Sequence, residues 1–248
     1  MVYLTFLIDN YSDIPSAGAV FVHGSRWAWH NDAPDYDNAA LLVKLNLTTA
    51  LATAGYHNLR CDWSLSTCPL STPPQGSMET SMQAVLEPWD ARAVSDAALP
   101  HALKTIFGGD EYAPDGDGRF LLRRNDAVRA QCCAQFVVSR ERIWQHSREE
   151  YVALRQWLLD SNAAPVDDRV AGRILSYVWH ILFVYQEDNE GDVDLQGLNT
   201  AACPSASECY CRLYGRCGLE NCNIGSCQGQ YKLPPDLKLP ADWAVTHS

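Results

Sequence analysis

Six of the chain's ten cysteines lie between Cys203 and Cys227, at positions 203, 209, 211, 217, 222 and 227. A stretch so rich in thiols is held by covalent or metal bonds as much as by packing. No C-x-x-C pair and no histidine falls inside it, so the spacing favours disulfides in an oxidising compartment over a zinc knuckle. The pairing stays open. Cys61 and Cys68 can staple the turn-rich stretch 62–93, which carries Pro69, Pro73, Pro74 and Pro88. The adjacent Cys132 and Cys133 read as strand neighbours facing opposite ways, one of them within reach of Cys61 or Cys68. Two N-x-[ST] triplets, Asn10-Tyr11-Ser12 and Asn46-Leu47-Thr48, fit the same lumenal or secreted setting.

The start is less easily fitted to that setting. Residues 1–8 are apolar but short, lack a basic flank and run into Asp9-Asn10, so they read as a strand or a helix turn and not as a leader. An oxidised chain with such a start is expected to continue upstream, with a first element missing and any membrane contact made through an anchor there. With 19 basic against 30 acidic residues, the net charge is −11, the wrong sign for a nucleic-acid partner. No apolar run approaches the roughly 20 residues of a spanning helix.

Residues 19–22 read as a strand ending at His23-Gly24, residues 39–54 as a helix capped by Asp37 or Asn38 and stopped by Gly55, and residues 56–61 as a second strand. Strand, helix, strand predicts a parallel crossover, with the loop after His23 at the carboxyl end of a strand, where such folds place their sites. Further on, helices are expected over 95–107, from Ser147 (a capping box with Glu150) to Leu159, and from Asp168 to Phe183, with a buried strand over 134–138. The last helix is apolar almost all round. Asp115-Gly116-Asp117-Gly118 lacks the remaining ligands of a calcium loop and reads as a turn. The expected architecture is α/β, a mixed or mostly parallel sheet flanked by helices over 1–200, then a disulfide-rich segment over 201–230 and a tail over 231–248.

The candidate chemistry concentrates on the first loop. His23, His30 and Asp32 offer a divalent metal three ligands with open positions left for substrate, although loops tolerate any spacing and both imidazoles can equally bond backbone. Arg26, Trp27 and Trp29 make a stacking platform for a sugar or another small molecule; the plainer reading packs both indoles on the core. Arg60 and Asp62, at the second strand end, line the same crevice or form a surface ion pair. Asp35-Tyr36-Asp37 has the form of a metal-holding D-x-D triplet, but Asp37 serves better as a helix cap. His180 beside Trp179 is a satisfied core histidine, or a catalyst if a first-loop residue partners it. Eight arginines between Arg119 and Arg155, against four acids, make a local basic face.

Several strings together, Tyr3-Leu4, Ile8-Asp9-Asn10-Tyr11, Val20-Phe21-Val22-His23-Gly24, Trp29-His30-Asn31-Asp32, Asn58-Leu59-Arg60-Cys61, Ala134-Gln135-Phe136, Trp179-His180 and Tyr214-Gly215-Arg216-Cys217, resemble the fungal domain-of-unknown-function family 3431. The resemblance covers nearly the whole chain. It implies an Asn/Gly-Arg-Glu motif ahead of Tyr3 and often an amino-terminal anchor. It also implies a glutamate shortly before the Trp-His pair, where this chain has Ser176. The order of elements is loosely similar to glycosyltransferase-like proteins, a likeness of fold that does not determine function. On that reading Asp32 or His180 is the base that deprotonates an acceptor hydroxyl, His23 and His30 hold a metal ion or a diphosphate, and Arg26, Trp27, Trp29, Arg60, Asp62 and Trp179 bind substrate. The alternatives are a metal-dependent oxidative or hydrolytic tailoring enzyme of fungal secondary metabolism and a secreted glycan-binding module without catalysis.

Overall fold

The structure, a computed structural model, describes residues 1–107, 128–184 and 194–231. Three short strands, β1 (Ala19–Phe21), β2 (Tyr56–Asn58) and β3 (Phe136–Val138), form a sheet in the order β1-β3-β2 with both neighbours antiparallel to β3. The expected parallel pairing is therefore corrected. β1 and β2 do run the same way, as the strand-helix-strand pattern predicts, but β3 inserts between them and supplies every ladder bond. Opposite residues pair in register, Phe21 and Asn58 with Phe136, and Ala19 and Tyr56 with Val138.

The alternation along β3 decides what covers the sheet. Phe136 and Val138 join one core with Phe21 and Tyr56, under the helices α1 (Val2–Asp9), α7 (Arg148–Leu159) and α8 (Asp168–Val184). Val137 points the other way, into a second core with Leu59, Tyr210 and Leu213, beneath α3 (Leu47–Leu51) and α10 (Ala206–Tyr214). A central strand buried on both faces carries no polar side chain, and all three of its residues are apolar and inaccessible. The first core is centred on aromatic contacts: Phe21 stacks on Phe136 at 4.9 Å, and Trp179 packs on both Phe136 and Phe183.

The capping box is present at α7, where Ser147 accepts from the Glu150 amide and Glu150 answers to the Ser147 amide. Asp37 caps its helix as expected, but the helix read over 39–54 is two, α2 (Asn38–Leu42) and α3. Asn46 breaks it by capping α3 through Thr49 while its own amide donates to the Leu213 carbonyl. Gly55 then ends α3 at φ +67°, with the Arg142 side chain only 2.6 Å from where a Cβ would stand. The stretch read as loop over 62–93 contains α4 (Met78–Leu86), and α5 (Ala91–Phe107) starts four residues early. The remaining helices are α6 (Arg140–Ile143) and α9 (Leu195–Ala202). The Asp115–Gly118 turn and the tail from residue 232 lie outside the described residues.

All ten cysteines are paired: Cys61–Cys209, Cys68–Cys203, Cys132–Cys133, Cys211–Cys217 and Cys222–Cys227. The expected Cys61–Cys68 staple and the reach of Cys132 or Cys133 to either are corrected. Both long-range bridges carry the C-terminal segment back onto the domain, so it is no self-contained knot. Five disulfides mark a chain that matures in an oxidising compartment, secretory or extracellular.

Candidate functional site

The first loop is built around a buried carboxamide cluster. Gln135, one residue before β3, accepts from the Asn38 side chain at 2.7 Å and from the His23 amide at 3.3 Å, and donates to Asn31 at 3.1 Å. Asn31 in turn donates to the carbonyls of Arg26 and Tyr36. Three buried carboxamides thus satisfy one another and hold residues 23–38 as a fixed loop, since any unpaired member would cost roughly 1–3 kcal/mol.

Asp32 performs a second anchoring task. Its carboxylate accepts from the amides of Cys61 (2.6 Å) and Asp62 (3.1 Å) and from the Tyr210 hydroxyl (3.0 Å). It ties the loop to the segment that follows β2 and to α10. Arg60 and Asp62 are likewise framework. The Arg60 guanidinium, 5% exposed, donates to the His30 carbonyl and to Asp62, and Asp62 accepts from Gln230 at 2.7 Å. Burial opposes ionisation of Asp62, but hydrogen bonds from Ser64 and Gln230 and the Arg60 charge together hold its carboxyl below the usual range. Arg26 pairs bidentately with Asp37 at 2.8 and 2.9 Å and lies over the Trp27 ring at 4.6 Å, outside the cleft.

Trp179 and His180, expected to bind substrate and to act as a base, are placed in the core on α8. Trp179 is 4% exposed among Tyr3, Phe136 and Phe183. His180 is 2% exposed, its Nε2 without a partner among the described residues, and burial alone pushes its pKa down to about 4. Between its ordinary 6.5 and about 4 the unfolded chain takes up a proton that the folded chain refuses. Stability is therefore expected to fall as pH drops through that window, by up to about 1.4 kcal/mol per pH unit, and to level off below it. His180→Leu should flatten this slope in urea titrations at pH 4 to 7, and an unchanged slope would show that other groups set it.

His23, His30 and Trp29 do come together. The His23 and His30 rings are 4.2 Å apart, and Trp29 packs edge-on against His30 at 5.5 Å. They form one wall of a cleft of about 380 Å³, beside Gln131 and the Cys132–Cys133 bridge. The opposite lip comes from α5 and α8: Arg92, Arg169, Arg173, Ser176 and Tyr177. Arg169 is bound to Asp167 at 2.7 Å, and Arg92 stands 3.9 Å from Asp96. Asp96 is buried against Tyr177 and its carboxyl is pushed up by that burial, against the pull of the Tyr177 hydroxyl, Arg92 and Arg173.

Three side chains of the cleft hold polar atoms with no partner among the described residues: Nε2 of His23, Nε2 of His30, and both amide atoms of Gln131, a residue only 3% exposed. Burial lowers the pKa of both imidazoles; His30 is pushed further down by His23 and Arg60, whereas His23 is partly restored by a hydrogen bond to the Cys133 backbone carbonyl. Both rings are neutral at physiological pH. Nε2 of His23 is buried and without a partner among the described residues. The two free imidazole nitrogens can serve as metal ligands, but the third, Asp32, is engaged elsewhere, and among the described residues no three His, Cys, Asp or Glu side chains are grouped as a metal ion requires.

The basic run between Arg119 and Arg155 does not build this site. Arg129, Arg142 and Arg148 donate to backbone carbonyls and staple loops, and Arg119, Arg123 and Arg124 lie outside the described residues. The arginines of the cleft lip were missed because each reads singly as the solvated face of a helix; Ser176, where the resembled pattern has glutamate, lies beside them. No curated protein and no solved structure matches the chain. The family model described as "Protein of unknown function (DUF3431)" matches residues 1–212, and the chain belongs to that family.

Proposed function

We propose that this cleft binds a nucleotide sugar and that the protein is a glycosyltransferase-like enzyme acting on a hydroxyl acceptor. The observation that carries the reading is the convergence of orphaned polar groups, on His23, His30 and Gln131, in one cleft whose far lip presents three arginines. Buried polar atoms without partners are costly unless a ligand or water completes them. Guanidinium groups complement the oxygens of a diphosphate, and Trp29, two-thirds exposed at the rim, offers a face to a sugar or base ring. In a chain of net charge −11, such a lip also focuses attraction for an anion locally. His23, whose Nε2 has no partner among the described residues, takes the general-base role in this reading, in place of Asp32 or His180. Any divalent ion arriving with the diphosphate would be met by His30, and no step of this reading depends on it.

Calorimetric titration with uridine, guanosine and adenosine diphosphates, with and without Mn²⁺, tests the reading. One nucleoside diphosphate is expected to bind with one-to-one stoichiometry, and Arg173→Ala to weaken it at least tenfold, the effect of losing one charge-assisted hydrogen bond. Failure of all three to bind at millimolar concentration, or equal binding by the variant, would remove it. Binding of free sugars alone, unaffected by Arg173→Ala, would favour the glycan-binding module.

A further inference from the structure

The bridge between Cys132 and Cys133 joins residues one apart in sequence, whereas Cys61–Cys209 and Cys68–Cys203 span 148 and 135 residues. Chain-entropy stabilisation grows with the loop that a disulfide closes, so this bridge restrains the unfolded chain least of the five. Its effect is local. It sits in a tight turn in which Cys133 and Ala134 both adopt positive φ, +86° and +49°, a region that side-chain-bearing residues rarely occupy and that persists only where the surroundings impose it. That turn lines the cleft together with His23, and Gln135, two residues on, accepts from the His23 amide at 3.3 Å.

We propose that the Cys132–Cys133 disulfide is a positioning element of the cleft, which keeps the turn closed against His23 and, when opened by a dithiol, lets that residue shift. The exchange is balanced with a dithiol as reductant. Its thiolate attacks one cysteine sulfur and expels the other as a thiolate, and its second thiol then displaces the first cysteine. The reductant leaves as a cyclic disulfide, and Cys132 and Cys133 each gain a proton, two electrons in all. Both cysteines are partly exposed at the cleft, whereas Cys61 and Cys209 are both inaccessible, so the vicinal bridge opens with the fold intact and before Cys61–Cys209.

The inference rests on the proposed site only where ligand affinity is read, so the first readout is independent of any ligand. The His23 imidazole signal, assigned by its loss in His23→Gln, is followed by NMR at fixed pH while the full-length oxidised protein is treated with limiting dithiothreitol, and the alkylated cysteines are mapped by mass spectrometry. The expected result is alkylation of Cys132 and Cys133 ahead of Cys61 and Cys209, with the His23 signal displaced and those of His57 and His180 unmoved. A Cys132→Ser/Cys133→Ser variant should stay folded, with a melting temperature within a few degrees of wild type, and show the displaced signal without reductant. Titration with the nucleoside diphosphate should then be severalfold weaker in the variant. A bridge that resists reduction until the protein unfolds, or a His23 signal at the wild-type position in the double variant, would overturn the proposal. If no nucleotide binds but the His23 signal moves, the positioning role stands and the nucleotide-sugar reading falls.

Discussion

Replacing Cys61 and Cys209 together by alanine is expected to lower the stability of the folded chain by about 3 kcal/mol in chain entropy, because the Cys68–Cys203 bridge stays closed and leaves an effective loop of about 15 residues. The bridge spans 148 residues and joins the end of β2 to the middle of α10. Both sulfurs are inaccessible, so their removal also opens a small apolar gap between Leu59 and Leu213. The same exchange at Cys222 and Cys227, which closes a separation of five, should cost less, about 2 kcal/mol. Guanidinium unfolding of the two double variants under oxidising conditions makes the comparison, and equal losses would show that loop length is not what matters here.

The second large effect is expected at Asp32, and it separates anchoring from catalysis. Asp32→Ala strands two backbone amides and the Tyr210 hydroxyl in a site that is 4% exposed. The cost is about 4 kcal/mol, from roughly 1–3 kcal/mol for each buried group left unpaired. Asp32→Asn keeps an acceptor for the amides, and the Tyr210 hydroxyl can turn to receive its NH₂ group, so about half of the loss should be recovered. A catalytic base would behave differently, with turnover lost in the asparagine variant at unchanged stability. Because Asp32 and the Cys61–Cys209 bridge hold the same junction of loop, β2 and α10, their losses should not add: opening the bridge first leaves less for Asp32 to hold. A chemical-denaturation midpoint for each variant decides the matter.

Local features of this fold were legible because their causes lie within a few residues. The Ser147–Glu150 box, the Asp37 cap, the Gly55 stop and the apolar run of α8 each encode their own geometry. What failed depended on distant partners. Nothing near residues 19–22 or 56–58 announces that β3, from beyond residue 130, will lie between them, so a parallel crossover was inferred where two antiparallel ladders form. Asn46 was counted inside a helix since a cap residue in an apolar run differs little from a helical one. The adjacent cysteines were expected on opposite faces of a strand, whereas positive φ at Cys133 takes them out of extended geometry and lets them bond.

The site was half legible. His23, His30 and Trp29 meet in the cleft because one rigid loop carries them. Arg60, Asp62 and Asp32 looked functional for the reason that they are polar at a strand end, yet they are consumed in holding that loop. Trp179-His180 stands out in the sequence only because α8 is the core helix. The arginine lip is assembled from α5 and α8, elements separated by some seventy residues, and no spacing rule connects Arg92 to Arg173.

The decisive measurement is photo-crosslinking with an azido-substituted nucleoside diphosphate sugar, followed by peptide mapping. Label is expected on peptides containing residues 23–30, 131–135 or 169–177, protected by unlabelled nucleoside diphosphate and lost in Arg173→Ala. Label confined to other peptides, or insensitive to competitor, would mean that the cleft is not where such a ligand binds.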